Sequence, residues 1–374
     1  MKAWSLRLGR FFGIEVYIHW TFWILIVWVL LMHVASGGIG QGAWGIAFIL
    51  SLFLCVVIHE FGHALTARRF GIVTHDITLY PIGGIASLEG MPEKPAQELI
   101  VAIVGPFVNL GIAAVLLVLL IATGRMPSAN ALENVTDIIQ LPFFYSLLFA
   151  NLTLAIFNLI PAFPMDGGRA LRALLSFWMD RVNATRIAAS LGQAFAILLV
   201  FLGFFTNFWL VFIGLFVYLG AGGEAAYARM QSALSGLTVN DALMSRFTVL
   251  SPEDTIGKAA DALLKSQETE FVTLDAGKPT GLLTRDEIIR GLTEAGPDAR
   301  VADFASDKFT VVDAGNSLKK LFEELLRAEH PVAIVIRGGE VAGLIDRNNV
   351  EEKILINEAL TKYAQGHELK FRRT

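Results

Sequence analysis

The chain has 374 residues, 54% of them apolar and 17% charged, with a mean hydropathy of +0.57, which excludes an ordinary soluble protein. A net charge of −4 with no basic stripe among aromatics gives no support to a nucleic-acid partner. Cys55 is the single cysteine, which excludes disulfides within the chain and thiolate zinc sites, and it is expected to pack as a small apolar residue.

In chain order, no cleavable signal peptide is expected, because the apolar stretch behind the basic N-terminus is too long and lacks a small-residue cleavage site. Ser5–Val16 alternates Leu, Phe and Ile around Gly13 and predicts a short surface strand pair. Six stretches then have the length for membrane helices: Tyr17–Met32, Trp44–Arg68, Leu99–Thr123, Leu141–Pro161, Ile187–Phe205 and Trp209–Ala226. Between the second and third, Ile72–Gly90 is apolar, but Pro81, Gly83, Gly84 and Gly90 oppose a helix. Extended chain held against the helices is predicted there, since open backbone at membrane depth needs protein cover or water.

Lys and Arg set the orientation. Lys2, Arg7, Arg10, Arg68, Arg69, Lys94, Arg169, Arg172, Arg181, Arg186 and Arg229 fall on one side, and Arg125 alone on the other. Positive charge marks the cytoplasmic side, so both termini are expected there.

His59-Glu60-Phe61-Gly62-His63 lies in the second apolar stretch. Residues four apart share a helix face, so His59 and His63 can aim two imidazoles at one metal with Glu60 beside them as a base. His59 is 9 positions before Arg68, and a rise of ~1.5 Å per residue puts it roughly 13 Å from the cytoplasmic end. A catalytic zinc usually has three protein ligands. Asn158-Leu-Ile-Pro161-Ala-Phe-Pro164-Met-Asp166-Gly167-Gly168-Arg169 offers the best third, since its prolines and glycines can bend a carboxylate inward. By its own position Asp166 fits a ligand or a helix cap equally. His19, beside Trp20, reads as a polar-tipped interfacial residue, His33 and His75 lack ligand spacing, and Asn109 and Asn151 read as interhelical hydrogen-bonding partners.

Together the two motifs resemble the site-2 protease family of intramembrane metalloproteases, and Gly105-Pro106-Phe-Val-Asn109 is similar to a further element of it. The resemblance covers about Ser5–Ala226 and implies a polytopic α-helical membrane protein, in a prokaryotic cell membrane, that cuts transmembrane or membrane-associated protein substrates. It further implies that His59, His63 and Asp166 bind zinc and that Glu60 is the catalytic carboxylate. Asn158 is a candidate oxyanion or substrate-positioning donor, against a purely structural role in breaking the helix. Thr78–Ser87, with Gly83 and Gly84 allowing close approach, is a candidate edge for pairing with an unwound substrate, against a loop packed on the bundle.

After Ala226 the composition becomes that of a soluble α/β domain with a repeat of period 62. Val239-Asn-Asp241 matches Val301-Ala-Asp303, and Gly281-Leu-Leu283 matches Gly343-Leu-Ile345. The arrangement resembles a tandem cystathionine-β-synthase (CBS) pair. The expected domains are a membrane protease part at 1–228, a linker at 229–236, the pair at 237–356 (copies 237–298 and 299–356) and a solvated tail at 357–374. The resemblance implies an adenine-nucleotide site between the repeats, for ATP or another such nucleotide, since pairs of this kind often bind them there. Thr284-Arg285-Asp286 fits the ribose-contacting turn, whereas Asp346-Arg347-Asn348 departs from it. The other reading of the pair is a ligand-free module for homodimerisation. A CBS-regulated transporter or channel is the competing function, and it leaves the His/Glu/His/Asp set unexplained.

Overall fold

The computed structural model describes residues 4–88, 90–92, 94–126, 142–266, 268–326, 328 and 330–371. Two compact units make up the chain, Met1–Ala228 and Arg229–Thr374.

In the first unit, strands β1 (Ser5–Phe11) and β2 (Ile14–His19) form an antiparallel hairpin turned by Phe12 and Gly13, both with positive φ. Helix α1 (Thr21–Arg69) follows, then strands β3 (Thr74–Tyr80) and β4 (Gly83–Leu88). β3 lies parallel to β2 and antiparallel to β4, giving the sheet order β1-β2-β3-β4. The first expected helix therefore begins late. Tyr17 and Ile18 belong to β2, which is buried as an inner strand, and a short apolar run of this kind serves strand or helix equally.

α1 is 49 residues long and leaves helical dihedrals at Gly37 and Gly38. At Gly38, with φ +78°, a side chain would be strained. The two halves fold back on each other there. Phe22 meets Phe53 with ring centroids 4.6 Å apart, and a Cβ on Gly45 would come within 2.7 Å of the His33 ring.

Helices α2 (Pro95–Ala122), α3 (Phe143–Leu159), α4 (Asp166–Leu175), α5 (Arg181–Phe205) and α6 (Trp209–Ala233) complete this unit's helical part. Among the described residues four helices, α1, α2, α5 and α6, are long and apolar enough to cross a membrane, and α3 is shorter at 17 residues. Leu141, the expected start of the fourth span, lies outside the described residues. Its expected end at Pro161 is too late: the helix stops at Leu159, where Ile160 turns extended ahead of the two prolines. Cys55 packs, as expected, among Leu116, Leu120, Leu147 and Leu148. α4 carries charge into the bundle, where it meets charge from α2. Arg172 is 5% exposed and holds Glu98 of α2, 1% exposed, through Nε at 2.7 Å and Nη2 at 2.5 Å.

The second unit bears out the period of 62 at the level of elements. β6 (Glu270–Asp275) and β7 (Lys278–Thr284) recur as β9 (Val332–Arg337) and β10 (Glu340–Asp346), and α8 (Arg285–Glu294) and α10 (Arg347–Phe371) begin 62 residues apart. The shorter β5 (Val249–Leu250) and α7 (Ile256–Lys265) match β8 (Thr310–Asp313) and α9 (Leu318–Leu325). Each copy forms a three-stranded sheet.

The lead-in segments are exchanged between copies. Val301, which opens the second copy, is buried with Leu250, Ile256 and Phe271 of the first. Val239, which opens the first, is buried with Leu318, Phe322 and Ala333 of the second. Backbone pairs Leu282–Ser306 and Met244–Leu344 repeat the exchange. A Cβ on Gly343 would lie 2.1 Å from the Met244 carbonyl, so only glycine admits that crossing. Two expected boundaries fall inside continuous elements or core. The linker at 229–236 is partly core, because α6 reaches Ala233 and Leu234 is buried against Val239. The tail at 357–374 continues α10 as far as Phe371.

Candidate metal centre

His59 and His63 lie on the second half of α1, one turn apart and both buried. Asp166 opens α4, delivered by a tight turn from Ile160 to Met165 that contains a cis Phe163–Pro164 bond. Gly167 and Gly168 make that turn possible. A Cβ on either would come within 2.2 or 2.4 Å of backbone at Ile160 or Phe163. The Nε2 atoms of the two histidines are 3.1 Å apart, and Asp166 Oδ2 lies 3.2 Å from His59 Nε2 and 3.1 Å from that of His63. A tetrahedral ion with ligands at 2.0–2.1 Å separates its donors by about 3.3 Å, so this set is spaced for zinc. No further His, Cys, Asp or Glu joins the group among the described residues.

Hydrogen bonds settle which imidazole nitrogen faces inward. His63 Nδ1 lies 2.7 Å from the Val101 carbonyl, which can only accept. His63 therefore carries a proton on Nδ1, and Nε2 is the nitrogen that faces Asp166 and can offer a lone pair to a metal. His59 Nδ1 lies 2.6 Å from Asn109 Oδ1. That orientation is set from a distance. Asn151 Nδ2 donates to the Leu147 carbonyl at 2.8 Å, which leaves its Oδ1 to accept from Asn109 Nδ2 at 3.1 Å. Asn109 must then offer Oδ1 to His59. Asn109 and Asn151 are the interhelical partners expected, but their chain ends on a metal-site histidine. The Gly105–Asn109 spacing of four was the available signal.

Gly105 clears the space. A Cβ there would sit 2.1 Å from His63 Nε2 and 2.7 Å from His59 Cε1. Glu60 borders the same site, in a cavity of about 430 Å³ lined also by Gly83, Gly84, Asn158 and Arg169. Gly84 runs against it, since a Cβ there would meet Glu60 Cγ at 2.8 Å. The cavity thus joins Glu60, the three donors, Asn158 and one strand. That strand is β4, the edge of its sheet. The expected edge Thr78–Ser87 is corrected in part, because Thr78–Tyr80 belongs to β3, with β2 on its other side. Gly83–Ser87 is the part on the edge.

In the second unit, Thr284 caps α8 in a capping box. The Glu287 carboxylate accepts from the Thr284 backbone N–H at 2.7 Å and contacts its hydroxyl. Asp286 is exposed in the first turn.

Gly105→Ala tests the cleared space. Alanine favours the helix itself, so the overall fold should persist while the imidazoles are pushed out of register. Zinc content by mass spectrometry should fall at least ~10-fold, the usual scale of outer-contact losses at metal sites, with circular dichroism unchanged. Full zinc content would show that the donors do not need this gap.

Residues 47–202 match peptidase family M50, and residues 239–294 match the CBS domain. A zinc metalloprotease of Methanocaldococcus jannaschii is 30% identical over 355 residues, spanning 95% of this chain and 97% of that protein. Stage IV sporulation protein FB of Bacillus subtilis is 27% identical over 188 residues, spanning 50% of this chain and 56% of its own. A solved site-2 protease from Methanocaldococcus jannaschii is 37% identical, covering 59% of this chain and 95% of its own with a TM-score of 0.44. The chain belongs to peptidase family M50, the site-2 protease family of zinc metalloproteases, and carries a CBS domain behind the protease part.

Proposed function

We propose that this protease is an intramembrane endopeptidase that cuts transmembrane or membrane-associated proteins near the cytoplasmic face, with His59, His63 and Asp166 holding zinc and Glu60 as the catalytic carboxylate. The observation that carries the reading is the meeting of three metal-type donors, Glu60 and a free strand edge around one cavity. Bound zinc supplies Lewis acidity, lowering the pKa of water and drawing charge from a carbonyl oxygen. Glu60 takes the proton of the attacking water and returns it to the leaving amine nitrogen. Asn158 donates from its amide to the substrate carbonyl, within the same cavity.

The peptide bond must first leave its helix. β4 pairs with the unwound segment, and Gly83 and Gly84 keep that backbone close to Glu60. Six spans cross the membrane in this reading: the two halves of α1, then α2, α3, α5 and α6. Both termini and the CBS pair are cytoplasmic in this reading, which the Lys and Arg bias supports. Lipid surrounds the exposed aromatics of α5 and α6, such as Phe205, Trp209 and Phe212. The CBS pair regulates cleavage through an adenine nucleotide near Thr284 and Asp286, and joins two chains as a homodimer.

Four outcomes check this reading. Glu60→Gln should abolish cleavage of a single-span substrate in proteoliposomes while zinc is retained, and a chelator should stop the native protein. The cut, mapped by mass spectrometry, should fall in the cytoplasmic third of the span; a cut at the opposite end removes the topology. Proline at alternate positions of Gly83–Ser87 should impair cleavage with zinc content intact, because proline removes the N–H that strand pairing needs. Indifference at every position rejects strand addition. Isothermal calorimetry of Arg229–Thr374 should show binding of ATP, ADP or AMP that Asp286→Ala weakens; no heat with all three leaves only the dimerisation role.

A further inference from the structure

Six alternating charges, beginning with Asp166 itself, run from the candidate metal site across the bundle. Asp166 turns Oδ2 to the histidines, and its other oxygen, Oδ1, lies 3.9 Å from Arg169 Nη1. Arg169 Nη2 is 3.9 Å from Glu224 Oε1 of α6, whose Oε2 is 3.6 Å from Arg172 Nη1. Arg172 holds Glu98, and Glu98 Oε2 reaches Arg181 Nη2 at 3.3 Å. Asp166, Arg169 and Arg172 are three residues apart in turn and share one face of α4. The other partners come from α2, α5 and α6.

A carboxylate with one oxygen committed to a metal needs its second oxygen engaged to stop it rotating about the Cβ–Cγ bond. Arg169 is the cation that faces Oδ1. A lone guanidinium on that short helix could equally swing into the cavity it lines, but Glu224 draws its second nitrogen the other way. Glu224 is itself braced by Arg172, which Glu98 holds through two nitrogens.

We propose that Arg169, held back by Glu224, is the positioning residue of Asp166: it engages Oδ1 so that Oδ2 stays aimed at the point shared by His59 and His63. The inference rests on the zinc-site reading. It assigns Arg169 and Glu224 to metal retention, and it assigns neither to contact with substrate.

The test measures zinc affinity of the full-length protein in detergent, stripped of metal and titrated with zinc against a competing chelator. Asp166→Asn comes first; if it binds zinc as tightly as the native chain, the zinc-site reading itself fails. If it loses zinc, Arg169→Met and Glu224→Gln are expected to weaken zinc binding about 10-fold or more, the scale of lost outer contacts to a metal ligand. Arg169→Lys should recover most of that loss. Glu224→Gln keeps Arg169 in place, so it also serves if Arg169→Met does not fold. With zinc in excess, Glu224→Gln should regain cleavage with its KM unaltered. Native zinc affinity in both variants overturns the proposal, as does a rise in KM for Arg169→Met with zinc affinity unchanged, which would make Arg169 a substrate contact.

Discussion

An ionised side chain inside an apolar bundle keeps its charge only against a partner, and here the partners decide where the helices meet. Glu98 at 1% exposure and Arg172 at 5% would each carry a desolvation penalty of several kcal/mol alone. Paired, they dock α4 onto one face of α2. That same face carries Val101, Gly105 and Asn109, spaced three and four residues along from Glu98. The ion pair therefore brings Asp166 to the face that already offers a carbonyl, a gap and an amide to the two histidines. The candidate metal site and the salt bridge share one helix–helix contact.

Each histidine then depends on neutral neighbours for its chemistry. A zinc ligand must present a bare nitrogen, and a rotated or flipped ring would present a hydrogen. Val101 fixes His63 directly, while His59 is fixed through two amides that end on the Leu147 carbonyl of α3. Gly105 matters for the opposite reason, as the place where no atom can stand. Outer contacts of this sort explain why α2 and α3, which contribute no donor to the trio, still shape the site.

Those outer contacts were the part hardest to see in the sequence. The His59–His63 spacing states helix geometry directly, and the break around Pro161 and Pro164 announces a bend, so three donors and Glu60 were legible. The period of 62 was legible because the two longer strands of each copy, and the turn between them, keep their lengths. Arg172 and Glu98 are 74 residues apart with no periodic relation, and nothing in one strand of text ties them together. The start of α1 was missed for a different reason. Val16 to Ile18 is apolar on successive residues because β2 is covered on both faces, and that pattern is also the opening of a membrane helix. Thr78 was read as edge because the parallel return of β3 beside β2 depends on α1 doubling back at Gly37 and Gly38.

The same comparison of copies narrows the nucleotide reading. Thr284 and Asp346 occupy equivalent positions, and both cap the helix that follows. Thr284 works with Glu287, and Asp346 exchanges hydrogen bonds with Asn349, its Oδ1 accepting from the Asn349 backbone at 2.7 Å. Capping accounts for the polar residue at this position in both copies, so Thr284 alone says little about a ribose. Asp286 is different. It is exposed in the first turn of α8, and its counterpart in the second copy is Asn348. A carboxylate can accept from two neighbouring hydroxyls, whereas an amide has one accepting oxygen. The case for a nucleotide therefore rests on Asp286, and it predicts one such contact per chain, in the first copy.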